Sequence, residues 1–343
     1  MILTALIVLL ALIFAGCEDK PFDPGIQANL DEVYSAYFRI GAALPLGEYG
    51  LNALSLYEDE VLDVFNSYTA ENCMKPEVIE PTKGAFNWSY ADSLISFAAE
   101  ESATVRGHVL VWHSQTPAWM ASGTKEDARA NMLDHINAVV GRYADSIYAW
   151  DVVNEAVSDS GGYRTSSLWY QAYGDATFIQ DAFDFAYAAD NDAQLFYNDY
   201  SVVSSSKRQD IVDMINDLDL IDSHHMTGIG MQAHWSLTWP SAADIATTIQ
   251  TFGAMGLDVH ITELDINTYG TADSPELRNS LAARYDELFG VFRDNADIVT
   301  NVTLWGVADD HTWLDDRGYG KTYPLLFNED HEAKQAYNAI LEF

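Results

Sequence analysis

The sequence predicts a single (β/α)8 barrel, and three observations carry that prediction. Eight short runs rich in β-branched and aromatic residues recur along the chain. A stretch with helical spacing of its apolar residues follows most of them. Six or more of the runs are apolar before and polar or aromatic at their ends, as expected where strands converge on one functional face. A doubly wound open sheet is the rival; it usually has fewer strands and often a Gly-rich phosphate turn after the first. Here the run after the first strand, GAALPLGEYG (41–50), holds no G-x-G-x-x-G. A chain of 343 residues, 48% of them hydrophobic, has ample material for one such barrel.

The eight runs, in order, are FRIGAAL (38–44), VFNSYTAEN (64–72), TVRGHVLVWH (104–113), YAWDVVNEA (148–156), QLFYNDY (194–200), TGIGMQAHW (227–235), DVHITELDI (258–266) and NVTLWGVADD (301–310). The clearest helical stretches are 125–144, 208–220, 241–256, 274–292 and 331–343.

The first sixteen residues, MILTALIVLLALIFAG, carry no charged side chain. They are too few to span a bilayer comfortably and read as the apolar core of a signal peptide, so they are set aside from the fold. Cys17 follows in the context FAGC, which resembles the lipobox of bacterial lipoproteins; the resemblance implies lipid attachment at Cys17. Phe14 in place of the usual Leu, and the lack of an early Lys or Arg, leave an ordinary secretory signal as the alternative. Residues 17–28 then read as the lipidated cysteine and a polar, Pro/Gly-bearing tether. The expected location is the bacterial cell envelope, lipid-anchored, or else secreted. Cys73 is the only other cysteine, which excludes an internal disulfide framework if Cys17 is acylated.

The formal net charge is −35. A surface this acidic repels nucleic acid and anionic lipid, so neither is expected as a partner; the membrane enters only through the anchor. It favours neutral or cationic partners and suits a salty medium, where self-repulsion is screened.

The strand ends supply Glu71, Asn72 and Lys75; His108, Trp112, His113 and Gln115; Asn154 and Glu155; Asn198, Asp199 and Tyr200; Gln232, His234 and Trp235; Glu263 and Asp265; and Trp305, Asp309 and Trp313. One polar strand end merely starts a loop. Six in parallel suggest a shared concave site. Glu155 ends the fourth run and Glu263 lies in the seventh, and a closed barrel turns both toward the same mouth. Two carboxylates across a cleft are the minimum equipment for glycoside hydrolysis: one holds a proton for the leaving oxygen, and the other is ionised to attack the anomeric carbon. Alternation in HITELDI puts Glu263 and Asp265 on one strand face. There Asp265 can orient His234, and His234 can donate to Glu263 and favour its ionised form. Asn154 and Glu155 are consecutive, so the strand must twist or end there if both are to reach a substrate. Indole faces at Trp112, Trp305 and Trp313, with Tyr200, suit the C–H faces of pyranose rings, and amides, His and Lys suit their hydroxyls. A metal is the competing chemistry through His108, His113, His234 and Asp265. However, H-x4-H in a strand is no zinc motif, and neither H-E-x-x-H nor a Cys pair occurs.

These residues resemble a known family. From about Asn29 to Phe343 the chain is similar to the family-10 glycoside hydrolases, chiefly endo-1,4-β-xylanases. The segments that carry the likeness are FNSYTAENCMK, RGHVLVWHSQTPAW, WDVVNEA, LFYNDY, GIGMQAHW, ITELDI, LWGVADDHTW and YPLLF, in the family's order. The resemblance implies a retaining double displacement on a (β/α)8 barrel, without a cofactor, on xylan and xylo-oligosaccharides. Glu155 takes the place of the general acid/base and Glu263 that of the nucleophile. Asn154 matches the amide beside the nucleophile, His234 and Asp265 its orienting pair, and His113 and Gln232 partners near the acid/base. Glu71, Asn72, Lys75, His108 and Gln115 match the hydrogen-bonding groups of the glycone sugars. Trp112, Trp305 and Trp313 match the aromatic walls, and Tyr200 a residue on the leaving-group side. For a retaining pair the carboxyl groups are expected about 5–5.5 Å apart. Cys73 inside ENCMK and Trp235 after His234 depart from the family pattern. Cys73 is expected to be a spectator; Trp235 either extends a leaving-group subsite or packs in the core. A monomer is expected. Two alternatives stay open: a barrel glycosidase acting on β-glucan or aryl glycosides, and a non-catalytic glycan-binding lipoprotein.

Overall fold

The computed structural model describes residues 29–47, 53–57 and 59–343. The apolar segment 1–16, Cys17 and the tether to residue 28 lie outside the described residues. Ten strand segments form one parallel sheet: β1 (Arg39–Leu44), β2 (Ser67–Ala70), β3 (Thr104–Gly107), β4 (Val111–Trp112), β5 (Ile147–Asn154), β6 (Gln194–Asp199), β7 (Gly228–Met231), β8 (His234–Ser236), β9 (Asp258–Asn267) and β10 (Val299–Leu304). Neighbours run β1-β2-β3-β5-β6-β7-β9-β10, and β10 pairs back onto β1. The sheet therefore closes. β4 continues the stave of β3 by pairing with β5, and β8 continues that of β7 by pairing with β9. Eight staves result, which is the predicted (β/α)8 barrel.

Such strands are covered on both faces, so they are buried almost end to end rather than in alternation. In β5 and β9 every residue is buried except Tyr148 and Asp258. The outer ring includes helices Ser89–Glu100, Lys125–Arg142, Phe178–Ala189, Ser205–Asp217, Ala242–Gly253, Pro275–Asp294 and Gln335–Leu341. Their starts are written locally. Thr124 and Asp127 form a reciprocal capping box, Ser241 accepts from the Asp244 amide, and Ser274 caps a helix that opens with Pro275. Each such cap is worth about 1 kcal/mol. Helix 125–142 then buries Ala128, Met132, Ile136, Val139 and Val140, a stripe at three- and four-residue spacing that faces the barrel.

The barrel interior carries a polar knot. Arg106 forms a two-pronged ion pair with Asp151, and neither side chain is more than 1% exposed. Arg106 Nε donates to His260 Nδ1 at 3.1 Å, and His108 Nδ1 lies 2.9 Å from Asp151 Oδ2, the oxygen that Arg106 Nη1 also contacts. On the next residues of the same strands, the Trp150 ring lies where a side chain on Gly107 would have to go: a Cβ there would come within 2.1 Å of the indole. Strand alternation turns this pair away from the interior knot, and glycine on β3 is what allows the largest side chain of β5 to lie across its neighbour.

Two predicted runs are not continuous strands. The third breaks after Gly107 and resumes at Val111, and residue 110 instead donates its amide to the Asp151 carbonyl at 3.0 Å. The sixth breaks at Ala233, whose φ of +65° turns the chain out of the ladder; His234 then re-pairs opposite Asp265. The eighth strand ends at Leu304, so Trp305–Asp310 belong to the following loop. Among the described residues no helix is long and apolar enough to cross a membrane.

Candidate active site

A cleft of about 1110 Å³ opens at the C-terminal ends of the staves. The expected catalytic and sugar-binding residues line it apart from Asp265 and Cys17, whereas Asn198, Asp199, Trp235 and Asp309, also expected at strand ends, do not. Asp265 is fully buried directly behind, and Cys17 lies outside the described residues.

β5 ends at Asn154, and Glu155 takes a left-handed turn with φ +57°. That turn re-aims the second side chain, so two consecutive residues both reach the cleft. A left-handed conformation costs a residue with a side chain roughly 1–2 kcal/mol. Part of its support is the Glu155 amide, which donates to the Asn198 carbonyl at 2.9 Å. The carboxyl of Glu155 is 2.9 Å from His113 Nε2 and accepts from the Gln232 amide at 3.0 Å. The Asn154 amide lies 3.0 Å from that of Asn198 and 3.2 Å from that of Gln232.

Glu263, on β9, is braced differently. His234 Nε2 lies 3.0 Å from one of its oxygens, and Asn198 Nδ2 donates to the other at 2.8 Å. The far nitrogen of His234 is 2.9 Å from Asp265, and the Trp313 indole donates to the same Asp265 oxygen at 2.7 Å. One buried carboxylate therefore sets both the imidazole and an aromatic wall.

The two carboxylates sit in contrasting electrostatic surroundings. Burial raises the proton affinity of Glu155, but hydrogen bonds from His113, Gln232 and Trp112 outweigh it and hold the carboxyl at about 2. Three donors thus converge on Glu155 and favour its ionised form. Burial lowers the proton affinity of His234, yet the charges of Asp265 and Glu263 raise it to about 10. His234 is thus a cation between two carboxylates.

One end of the cleft is built from the loops after β2 and β4. Lys75 Nζ donates to Asn72 Oδ1 at 2.6 Å and lies 5.2 Å from the Trp112 ring and 6.0 Å from Trp305. Gln115 reaches the same Asn72 oxygen at 3.3 Å. His108 is held by Asp151 and packs edge-on against Trp305 at 5.4 Å. Glu71 has His311 at 3.7 Å. On the other side of Glu155, the Tyr200 hydroxyl donates to Asp159 and lies 3.0 Å from Arg164.

The sequence pattern of glycosyl hydrolase family 10 matches residues 29–343. The chain belongs to that family. It is 41% identical over 327 residues to a β-1,4-xylanase of Dictyoglomus thermophilum, an alignment covering 92% of this chain and 91% of that one. It is likewise 41% identical over 331 residues to an endo-1,4-β-xylanase of Geobacillus stearothermophilus, covering 90% and 96%. The crystal structure of xylanase XynB from Paenibacillus barcinonensis, complexed with a conduramine derivative, superposes with a TM-score of 0.86. It is 35% identical and covers 93% of this chain and 99% of that one.

This family-10 chain is a glycoside hydrolase, and its site also contains residues that sequence reasoning passed over. Asn198 stood at a strand end without a role. Here Thr262 donates to its Oδ1 at 2.7 Å, which leaves its nitrogen to serve Glu263. His311, and Asp315–Arg317 on the short 3-10 helix Trp313–Arg317, line the cleft from a segment that no periodicity marks, with Arg317 stacked 4.8 Å from the Trp313 ring. Conversely, two acids expected at strand ends turn away. Asp199 is fully buried against Lys207 at 2.7 Å, and burial pushes it up to about 7. Asp309 pairs with Lys334 at 2.6 Å in a separate cavity, and burial pushes it up to about 6. Trp235 is 3% exposed, with its ring 6.4 Å from Phe292, so of its two expected places it takes the core. Cys73 is buried. Among the described residues no group of three or more His, Cys, Asp or Glu is arranged to hold a metal ion.

Proposed function

We propose that this chain is a retaining endo-1,4-β-xylanase that cuts internal β-1,4-xylosidic bonds of xylan. The observation that carries the reading is the pair of carboxylates in one cleft with opposite support: Glu263 against the His234 cation, Glu155 under three donors. Names of the relatives supply the substrate.

In this reading Glu263, ionised and aligned, attacks the anomeric carbon. The C–O bond to the leaving sugar breaks as Glu155 delivers its proton to the departing oxygen. A glycosyl ester on Glu263 results. Glu155 then takes a proton from water, whose oxygen attacks the same carbon and releases Glu263, so configuration is retained. The donors around Glu155 favour its ionised form, and bound substrate shifts the balance toward the protonated acid. A sugar seated over Glu155 excludes water, and the glycosidic oxygen competes with His113 and Gln232 for the carboxyl; both raise its proton affinity. Asn154, which lines the cleft, serves the hydroxyl beside the reacting carbon, and the tryptophans supply stacking faces.

Product analysis on glucuronoarabinoxylan, with wild type beside Glu263→Ala, tests this. Xylo-oligosaccharides from the wild type and none from the variant are expected, with the β-anomer first by NMR. Release of the α-anomer first would replace retention by inversion, and no oligosaccharide at all would overturn the reading. Faster hydrolysis of carboxymethylcellulose than of xylan would favour the β-glucanase alternative. Activity is expected to persist in chelator.

The same reading places the enzyme at the bacterial cell envelope as a monomer, tethered by a lipid on Cys17. Cys17→Ser should move it from the membrane to the soluble fraction. An unchanged distribution would leave ordinary secretion. Light scattering reads the oligomeric state.

A further inference from the structure

The loop that leaves Glu155 is held by one side chain that no part of the reaction scheme uses. Arg164 satisfies three consecutive backbone carbonyls after the end of β5. Its Nε donates to the Glu155 carbonyl at 2.9 Å, its own backbone amide to Ala156 at 2.7 Å, and its Nη2 to Val157 at 3.3 Å. The same Nη2 reaches the Tyr200 hydroxyl in the cleft wall at 3.0 Å. Tyr200 in turn donates to Asp159, and Lys207 ties Asp159, at 3.3 Å, to Asp199, at 2.7 Å. Val157 also donates its amide to the Tyr197 hydroxyl at 3.0 Å. Glu155 stands in a left-handed conformation that a residue with a side chain keeps only when its surroundings hold it there. Asn198 holds its amide, and Arg164 holds its carbonyl and the two that follow.

We infer that Arg164 is the positioning residue of the proton donor: its guanidinium locks the left-handed turn that aims the Glu155 carboxyl at the leaving oxygen, and couples that turn to the Tyr200 wall. The planar fork matters. Lysine brings the same charge but carries its three donors on one nitrogen, so it cannot reproduce the separate Nε and Nη2 contacts to the Glu155 and Val157 carbonyls in the fork geometry. The inference rests on Glu155 being the proton donor.

The test separates proton delivery from folding and binding by varying the leaving group. A dinitrophenolate departs without a proton, whereas a sugar needs one. Arg164→Lys is therefore expected to lower kcat/KM on xylo-oligosaccharides by on the order of 10²-fold, through kcat rather than KM. On 2,4-dinitrophenyl xylobioside kcat/KM should stay nearly unchanged. Glu155→Gln is the control and should show the same split more strongly. If Glu155→Gln shows no split, the assignment of the proton donor fails. If Glu155→Gln splits but Arg164→Lys loses both substrates equally, or neither, Arg164 is only structural and the inference is overturned. Should Arg164→Lys fold poorly by circular dichroism, Arg164→Gln, which keeps one amide donor and no fork, is measured in the same pair of assays and judged by the same two outcomes.

Discussion

At the scale of the residue, the site works by assigning different neighbours to like groups. Glu155 and Glu263 are the same side chain, yet one is met by His113, Gln232 and Trp112 and the other by His234 and Asn198. A carboxyl-specific ¹³C NMR titration should find Glu155 ionised down to about 2. In His113→Asn its midpoint should move upward, because the first of the donors that oppose burial is weakened. No movement would mean that His113 does not set the charge of Glu155. The second residue-scale prediction concerns His234. Its proton affinity in the fold lies above the ordinary 6.5, at about 10, so the folded chain binds the proton more tightly than the unfolded one. The resulting stabilisation is complete below pH 6.5 and is lost as pH rises through about 10. Denaturant unfolding of wild type minus His234→Asn should therefore shrink across that window. A constant difference would show that the imidazole is not charged.

At the scale of the element, strands β3, β5 and β9 meet inside the barrel through Arg106, Asp151 and His260. Two charges this deep stabilise only as a pair, and removing one leaves the other uncompensated. Asp151→Ala should cost about 3–5 kcal/mol in denaturant unfolding. It should also weaken substrate binding, because His108 loses the carboxylate that orients it in the cleft. An Asp151→Ala protein as stable as wild type would mean that Arg106 has found water. The broken staves belong to this scale too. Alternation along HITELDI made Glu263 and Asp265 legible as one face, and the strand does place both on His234. The breaks after Gly107 and at Ala233 were not legible, because a single left-handed residue such as Ala233 leaves no mark in a hydrophobic pattern.

At the scale of the molecule, the acidic surface acts on stability and solubility, not on the cleft chemistry. A net charge of −35 repels itself, and salt screens that repulsion within a Debye length of about 3 Å at 1 M. The melting temperature should rise by several degrees from low salt to 1 M salt. A fall would show that surface ion pairs such as Arg142–Asp92 outweigh the net repulsion.

Sequence alone was sufficient for the barrel, for the strand ends that carry the carboxylates, and for which carboxylate has a His–Asp pair beside it. These depend on periodicity and spacing, which are local and written in order. Only the tertiary structure decided which acids enter the cleft: Glu263 on β9 does, whereas Asp199 at the end of β6 and Asp309 in the loop after β10 turn to Lys207 and Lys334. Only it placed Arg164 under Glu155, nine residues on, and converged His113, Gln232 and Trp112 on one carboxyl. The physical reason is that charge state and aim depend on distances across the barrel, which closing the sheet creates and no single segment contains.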